Sequence, residues 1–467
     1  MRKAIDVLIL ISLLGALAAI ILIVPGPKSA AALCTALLAL GLGALWASTG
    51  GGRREATAGA KRRLLPGLFT VLWVGAFATV CYLSLASGAG LLHRGLFLLS
   101  LPVVLPSCAL LALALLPRSP RLRARPMELG AQVPLVTLIL ATRNEPFSVV
   151  KMTLDSALAL AYPAQRLELI VTDNSDLSHP DLTPLREHLD QLARDRSVRF
   201  LHRDGKEGAK ARNLDLALAQ VTGDYILLLD ADSTLAPDSL QLAIGHMEQH
   251  ARTAHVQLRI GTSNWQRNAF TLCSSYMTDV VIRGVEELRS SLGFSFNGGH
   301  NVVWRRSALN EVAPFEQYFD GVLCQTEDYS ASIRAALRGW RCETLGIDSW
   351  EWAPFDVRSY LKQWYRWGYG AQQGVLQYGR AVLRSDRVSY GGKVAMLIGF
   401  LHFLSPFFTL SCTLWLSLVS VWGTGAPSGP GCVVYGLTAG SLAVFLLFCR
   451  STPSHAGVGW LKRLAAM

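Results

Sequence analysis

The 467-residue sequence predicts a parallel, doubly wound α/β domain set within an α-helical transmembrane protein, and three observations predict it. Apolar residues make up 51% of the chain and charged residues only 16%, against about 25% charged in a soluble domain, and the apolar excess lies in 4–116 and 393–449. Between those stretches, short β-rich runs alternate with amphipathic helical patterns. Polar residues then gather where the predicted strands end, at 142–145, at 173–176, and at Asp230 and Asp232. The pattern excludes collagen-like, coiled-coil and disordered chains.

A spanning helix needs roughly 20 apolar residues. Four candidates fall within 1–117, at 4–24, 30–48, 64–86 and 96–116, and two within 393–449, at 394–422 and 433–449. The fifth carries Pro406, which predicts a tilt, a kink or a partly re-entrant path. The first is too long for a signal peptide and lacks a small-residue cleavage site. A short basic tail, 450–467, follows the last span, and no separate cyclic-nucleotide-binding domain is expected after it.

The net charge of +11 raises the question of a nucleic-acid partner. Residues 129–449 hold 28 Lys+Arg against 30 Asp+Glu, whereas the remaining segments hold 16 Lys+Arg and 3 acids. Nucleic-acid binding wants basic charge on a folded face, so that partner class is excluded. With the N-terminus inside, Arg2, Lys3, the clusters at 53–63 and 118–125, and the tail all lie inward. Only Lys28 and Arg94 lie outward. The positive-inside rule therefore predicts a multi-pass inner (plasma) membrane protein with the soluble domain and both termini in the cytoplasm. The nine cysteines form no C-x-x-C pair, which disfavours a disulfide framework or zinc site.

Within the soluble domain, expected over 130–353, the predicted strands are 134–140, 167–173, 198–203 and 225–232. Helical patterns follow at 148–160, 184–195, 210–220 and 237–250. Near-continuous apolar strands separated by helices read as a parallel sheet covered on both faces. Ligands of such sheets bind at the carboxyl ends of the strands.

Four groups of residues carry candidate chemistry. Asp230 and Asp232 close the most apolar strand, and alternate positions on a strand share a face. The pair reads either as two hard ligands for Mg2+ or Mn2+ beside a diphosphate, or as a solvated turn. Lys206 and Lys210 lead into a helix whose N-terminus favours phosphate, without the spacing of a P-loop. Thr326 reads as the N-cap of a helix whose first turn holds Glu327 and Asp328. Those acids either answer the helix dipole or supply a general base for a hydroxyl nucleophile. Gln363, Arg366 and Trp367 stand at i, i+3 and i+4 of a helix predicted within 354–391. They offer an amide, a guanidinium for phosphate, and an indole on which a sugar ring can stack. The same helix spaces Arg358, Lys362 and Arg366 by four, as an amphipathic helix at a membrane interface does.

In order, the motifs TRNEP (142–146), VTDNSD (171–176), DAD (230–232), FNGGHNVVWRR (296–306), TED (326–328) and QWYRW (363–367) resemble the processive, membrane-embedded family 2 glycosyltransferases, which include cellulose, hyaluronan and chitin synthases. The resemblance runs from about 133 to 373 and implies a GT-A-type glycosyltransferase fold. It implies that Thr142, Glu145 and Asp173 hold the nucleoside, usually uridine, and that Lys210 and Asp230 contact the diphosphate. Asp232, with Asp230, would bind the metal. Asp328 would be the catalytic base, with Glu327 on the acceptor side. Gln363 and Arg366 would engage the diphosphate, and Trp367 would stack on the acceptor sugar. Asn174 stands where a second acid is frequent. His300 stands in a GGHN segment where cellulose synthases carry a Phe-Cys-Gly type sequence, and reads either as a sugar contact or as a structural hydrogen-bonder.

The expected activity is inverting, processive polymerisation of a β-linked polysaccharide from a nucleotide-sugar donor, with export through the chain's own helices. The expected partners are the donor, the growing polysaccharide acceptor, the lipid bilayer and export or regulatory subunits. The alternatives are a non-processive transferase acting on a lipid carrier, against which QWYRW speaks, and a transporter or receptor with a degenerate sugar-binding domain, against which the intact acids speak.

Overall fold

The computed structural model describes residues 126–127, 133–279 and 285–400. The chain divides into two units, 1–117 with 404–465 and 118–403 with 466–467, and the described residues all belong to the second. The predicted spans within 1–117, the span at 433–449, the part of 394–422 beyond residue 400 and the tail lie outside the described residues. Among the described residues no helix is long and apolar enough to cross a membrane.

In chain order the first half of this unit runs β1 (Val136–Thr142), α1 (Phe147–Leu158), β2 (Leu167–Asp173), α2 (Leu182–Leu192), β3 (Ser197–His202), α3 (Ala209–Leu218) and β4 (Tyr225–Asp230). Then follow β5 (Thr234–Leu235), α4 (Ser239–Gln249), β6 (Thr253–Thr262), α5 (Ala269–Asp279), α6 (Glu287–Leu292), β7 (Val302–Arg305) and α7 (Arg306–Val312). Last come β8 (Tyr318–Phe319), β9 (Val322–Leu323), α8 (Glu327–Leu337), β10 (Arg341–Glu351) and α9 (Val357–Arg384). The four predicted helices, found as α1 to α4, each fall within three residues of their expected bounds.

Eight strands form one sheet in the order β3-β2-β1-β4-β7-β6-β10-β5, and β8 pairs with β9 in a separate hairpin. Strands β3, β2, β1 and β4 are parallel, as predicted. The expectation of a wholly parallel sheet is corrected beyond β4: β7 is antiparallel to both β4 and β6, and β5 to β10. A parallel neighbour requires a crossover that returns the chain to the opposite end of the sheet. The connection after β6 instead delivers the chain back to the rim it left, so β7 runs in reverse. The strand expected over 225–232 is also shorter. It stops at Asp230, and Ala231 and Asp232 lie in a turn in which Ser233 N–H reaches Asp230 O at 3.1 Å.

Strand alternation sends side chains to both faces. Val136, Leu138 and Leu140 pack with residues of β2 and β4 against α1, α2 and α4 through Leu154, Leu189 and Ile244. Ile139, Ile170 and Leu228 face the other way, where α3, α7 and α8 contribute Leu214, Leu309 and Ile333. Burying a Leu or Ile side chain stabilises by roughly 1.5–3 kcal/mol, so these two layers fix the central strands and hold their carboxyl ends at one level. Register confirms that level: Thr142 pairs with Asp173, Asp173 with His202, and Ala141 with Asp230.

Candidate active site

The first half of the rim is built from the loops after β1 and β2. Asn144 adopts a left-handed conformation (φ 57°), which Asn tolerates better than most residues. There its N–H reaches Ser175 Oγ at 2.7 Å, and its side chain exchanges two hydrogen bonds with Asp176. Asp173 is fully buried. Its carboxylate accepts from Thr142 Oγ1 at 2.8 Å, Ser175 Oγ at 2.6 Å and Ser175 N–H at 3.1 Å, and lies 2.8 Å from His202 Nδ1. Asn174 accepts from Asn213 Nδ2 at 2.9 Å and donates to Gly205 O at 3.3 Å. A carboxylate could not make the second bond, which accounts for an amide at this position. Glu145 takes the N–H of Arg143; burial outweighs that bond and pushes its carboxyl up to about 7.

The centre of the rim gathers charge at the end of β4. Lys210, from the first turn of α3, donates to Asp230 Oδ1 and to Gly299 O at 2.9 Å. Burial works to lower the Lys210 ammonium, yet Asp230, Glu327 and Asp328 outweigh it and hold it above its ordinary value. Burial works to raise Asp230, and Lys210 and His300 overcome it, leaving that carboxyl below its ordinary value. His300 Nδ1 lies 3.1 Å from Gly298 O and 3.5 Å from Asp230 Oδ2, while Nε2 lies 2.7 Å from Glu351 Oε2. Against the lowering effect of burial, Glu351 and Asp230 lift His300 to about 9. Asp232 accepts the Trp352 N–H at 3.1 Å, and burial followed by the charge of Glu351 pushes its carboxyl up to about 6.

The loop that carries His300 is held from below. Gln257 Nε2 donates to His300 O and Asn301 O, each at 3.0 Å, and its Oε1 accepts Gly298 N–H at 2.7 Å. Gly299 has φ 85°, and a Cβ there would lie 2.8 Å from Asp328 Oδ2 and 3.7 Å from Lys210 Nζ. Glycine is needed on both counts.

Asp328 enters from the first turn of α8, where its Oδ1 accepts the Tyr329 N–H at 2.8 Å. Burial and the adjacent Glu327 push Asp328 up to about 7, and burial likewise raises Glu327. Thr326 occupies the N-cap position as expected, but its side chain makes no capping bond. Its methyl and hydroxyl pack against Gly370, where a Cβ would meet them at 2.5 Å. α9 begins at Asp356, which accepts Ser359 N–H at 3.0 Å and Ser359 Oγ at 2.7 Å. The predicted helix is therefore present, with Gln363, Arg366 and Trp367 on one face. Arg366 is exposed, and its charge acts on Asp230, Glu327 and Asp328. Trp367 is half-buried, its ring centroid 6.0 Å from that of Trp364.

The structure thus brings Lys210, Asp230, His300, Glu327, Asp328 and Arg366 within electrostatic reach of one another, with Asp232 beside His300. Thr142 and Asp173 bond to each other at the edge of this group. Glu351 was not singled out from the sequence. It ends β10, and its approach to His300 depends on a register shift between β6 and β10 at Leu345/Asp348, which no local pattern announces. His300 thus lies between the carboxylates of Asp230 and Glu351.

Residues 225–448 match the model of the glycosyl transferase family group 2. The chain is 27% identical over 278 residues to a probable glucomannan 4-beta-mannosyltransferase 4 of Oryza sativa, covering 58% of this chain and 49% of that protein. It is 26% identical over 250 residues to a cellulose synthase catalytic subunit (UDP-forming) of Komagataeibacter sucrofermentans, covering 51% and 31%. The chain spans about half the length, or less, of these two relatives. In fold it resembles a mannosyltransferase from Pyrobaculum calidifontis solved with GDP-Man and Mn2+, with a TM-score of 0.53 and 18% identity over 79% of this chain and 97% of that one. The chain therefore has a GT-A-like α/β fold, and residues 225–448 are similar to the glycosyl transferase family group 2.

Proposed function

We propose that this chain is a glycosyltransferase that polymerises a β-linked polysaccharide from a nucleotide sugar by inverting, processive transfer, working as a multi-pass protein on the cytoplasmic face of the membrane and passing the chain through its own helices. The observation that carries the reading is the meeting of a near-neutral carboxyl, Asp328, with the Lys210–Asp230–His300 group across Gly299. A base whose pKa lies near the working pH is poised to take a proton. In the reaction the acceptor hydroxyl gives its proton to Asp328 while its oxygen bonds to the anomeric carbon. The bond from that carbon to the diphosphate oxygen breaks, and the nucleoside diphosphate leaves with the electron pair. Attack opposite the leaving group inverts the centre. Lys210 and Arg366 face the departing charge, Gln363 holds the diphosphate, and Trp367 stacks on the acceptor sugar. Thr142, Glu145 and Asp173 shape the nucleoside end, with Glu327 and His300 on the acceptor side.

A divalent cation, Mg2+ or Mn2+, fits the donor set. Asp232 carries a carboxyl raised by burial and by Glu351, an excess of negative charge that a cation would relieve. Among the described residues no group of three or more His, Cys, Asp and Glu side chains could hold a metal alone. Asp232 with Asp230 would therefore hold it together with donor phosphate oxygens, as Mg2+ sites commonly do. When bound, the cation neutralises the leaving diphosphate. The test is to incubate the purified chain with a panel of nucleotide sugars and Mg2+ or Mn2+, recording nucleotide release and product length. Polymer supports the reading; a single-sugar glycolipid overturns processivity, and no nucleotide release overturns the activity.

A further inference from the structure

We propose that Gln373 is a positioning residue: with Gly370 it fixes the 323–328 segment to the helix face that carries Gln363, Arg366 and Trp367, so that the base and the acceptor platform keep one spacing. The inference rests on reading Asp328 as the base. Gln373 spans the loop ahead of α8, accepting the Gln325 N–H through Oε1 at 3.0 Å and donating through Nε2 to Leu323 O at 3.3 Å. One turn earlier, Gly370 lies so close to Thr326 that no side chain fits between them. Further along, Tyr378 OH lies 2.9 Å from Gln317 Oε1, which also accepts the Ser330 hydroxyl at 2.7 Å.

Positions 363, 366, 367, 370, 373, 374 and 378 follow one another at helical spacing and form a single stripe. The face that presents the acceptor platform therefore continues into the clamp on the base, and a helix rising about 1.5 Å per residue sets the distance between them. α8 needs such a clamp at its start. Its middle is buried through Ala331, Ile333 and Ala335, but its N-cap residue Thr326 gives the first turn no side-chain bond. The segment holding Asp328 is thus anchored from α9 in addition to the bonds of its own helix, where Tyr329 N–H and Ser332 Oγ reach Asp328 at 2.8 and 3.0 Å.

Gln373→Met keeps the volume and removes both hydrogen bonds, and the full-length protein is assayed with the nucleotide sugar that it uses. Sugar incorporation falls about tenfold, since small misplacements of a reacting group cost that much or more, while the donor KM stays within about twofold. The ratio of nucleotide released to sugar incorporated rises, because water replaces the acceptor hydroxyl as the attacking group. Gly370→Ala reproduces the same split by pushing on Thr326. Wild-type incorporation and ratio in Gln373→Met overturn the proposal. So does a parallel loss of donor binding, turnover and thermal midpoint with the ratio unchanged, which marks a residue that only supports the fold. Asp328→Asn, run alongside, separates the two ideas: an active Asp328→Asn overturns the base itself, whereas an inactive one with normal Gln373→Met overturns only the clamp.

Discussion

Two parts of the rim treat most of their buried carboxylates in opposite ways, although Glu145 in the first is raised by burial as those of the second are. Around the loops after β1 and β2, Asp173 is buried yet surrounded by two hydroxyls, a backbone N–H and an imidazole nitrogen, so its negative charge is met by hydrogen bonds in place. In the second part, Asp232, Glu327 and Asp328 are raised by burial and, for Asp232 and Asp328, by a neighbouring acid. The first half is a finished scaffold. The second holds unrelieved charge, which is what a site needs if a donor, a cation or a proton is to relieve it.

The sharpest way to break this contrast is Asp328→Asn. Loss of a general base is worth 10²–10⁴ in rate, so sugar incorporation falls about a thousandfold, read with labelled donor; retention of activity would place the base elsewhere. Next is Lys210→Met, which removes the donor to both Asp230 and Gly299 O. Incorporation falls about a hundredfold, the scale for losing one stabiliser of developing charge, measured as kcat/KM for the donor.

The pH profile gives a smaller, graded effect. Asp328 is pushed up to about 7, so with Asp328 as the proposed base turnover falls about tenfold per pH unit well below 7 and levels above it. A profile flat between pH 5 and 8 would remove Asp328 from the rate equation. Stability runs the other way. Glu145, Asp232 and Asp328 keep their protons to higher pH when folded than their ordinary carboxyl values allow unfolded. The folded state therefore binds more protons between about pH 4 and 7, and unfolding free energy declines as pH rises through that window. Urea midpoints across pH check the sign. The smallest effect is on the finished half: Asp173→Asn turns an amide toward existing donors and costs about 1–3 kcal/mol of stability, seen as a lower urea midpoint, whereas Asp328→Asn at pH 8 raises it.

The same contrast explains what could be read from the sequence. Strands β1 to β4 and their helices were legible because each is a local pattern, a continuous apolar run followed by an amphipathic period. Asp230, Lys210, His300 and Asp328 were legible as motif members, and they converge. The reversal of β7 was not legible, since Val302–Arg305 is only four residues long and its direction depends on where a long connection ends. β4 ends two residues earlier than the pattern predicts because Asp230, Ala231 and Asp232 fit the two-residue period of a strand, whereas the backbone turns after Asp230. Glu351 escaped notice because its partner lies across a shifted strand register. Gln373 lies beyond QWYRW, and only the packing of α9 on α8 gives it a role.

The reversed β7 has a consequence for how this surface can vary. A sheet of parallel strands supplies its rim only with segments that leave strands. Because β7 runs down from the rim, with Val302 level with Leu228 of β4 and Arg305 with Tyr225, the segment carrying Gly298 to His300 is one that arrives. Its length is therefore independent of the lengths of β1, β2 and β4. That segment can grow, shrink or change its side chains while β1, β2 and β4 stay in register, which makes this part of the rim separable from the loops after β1 and β2.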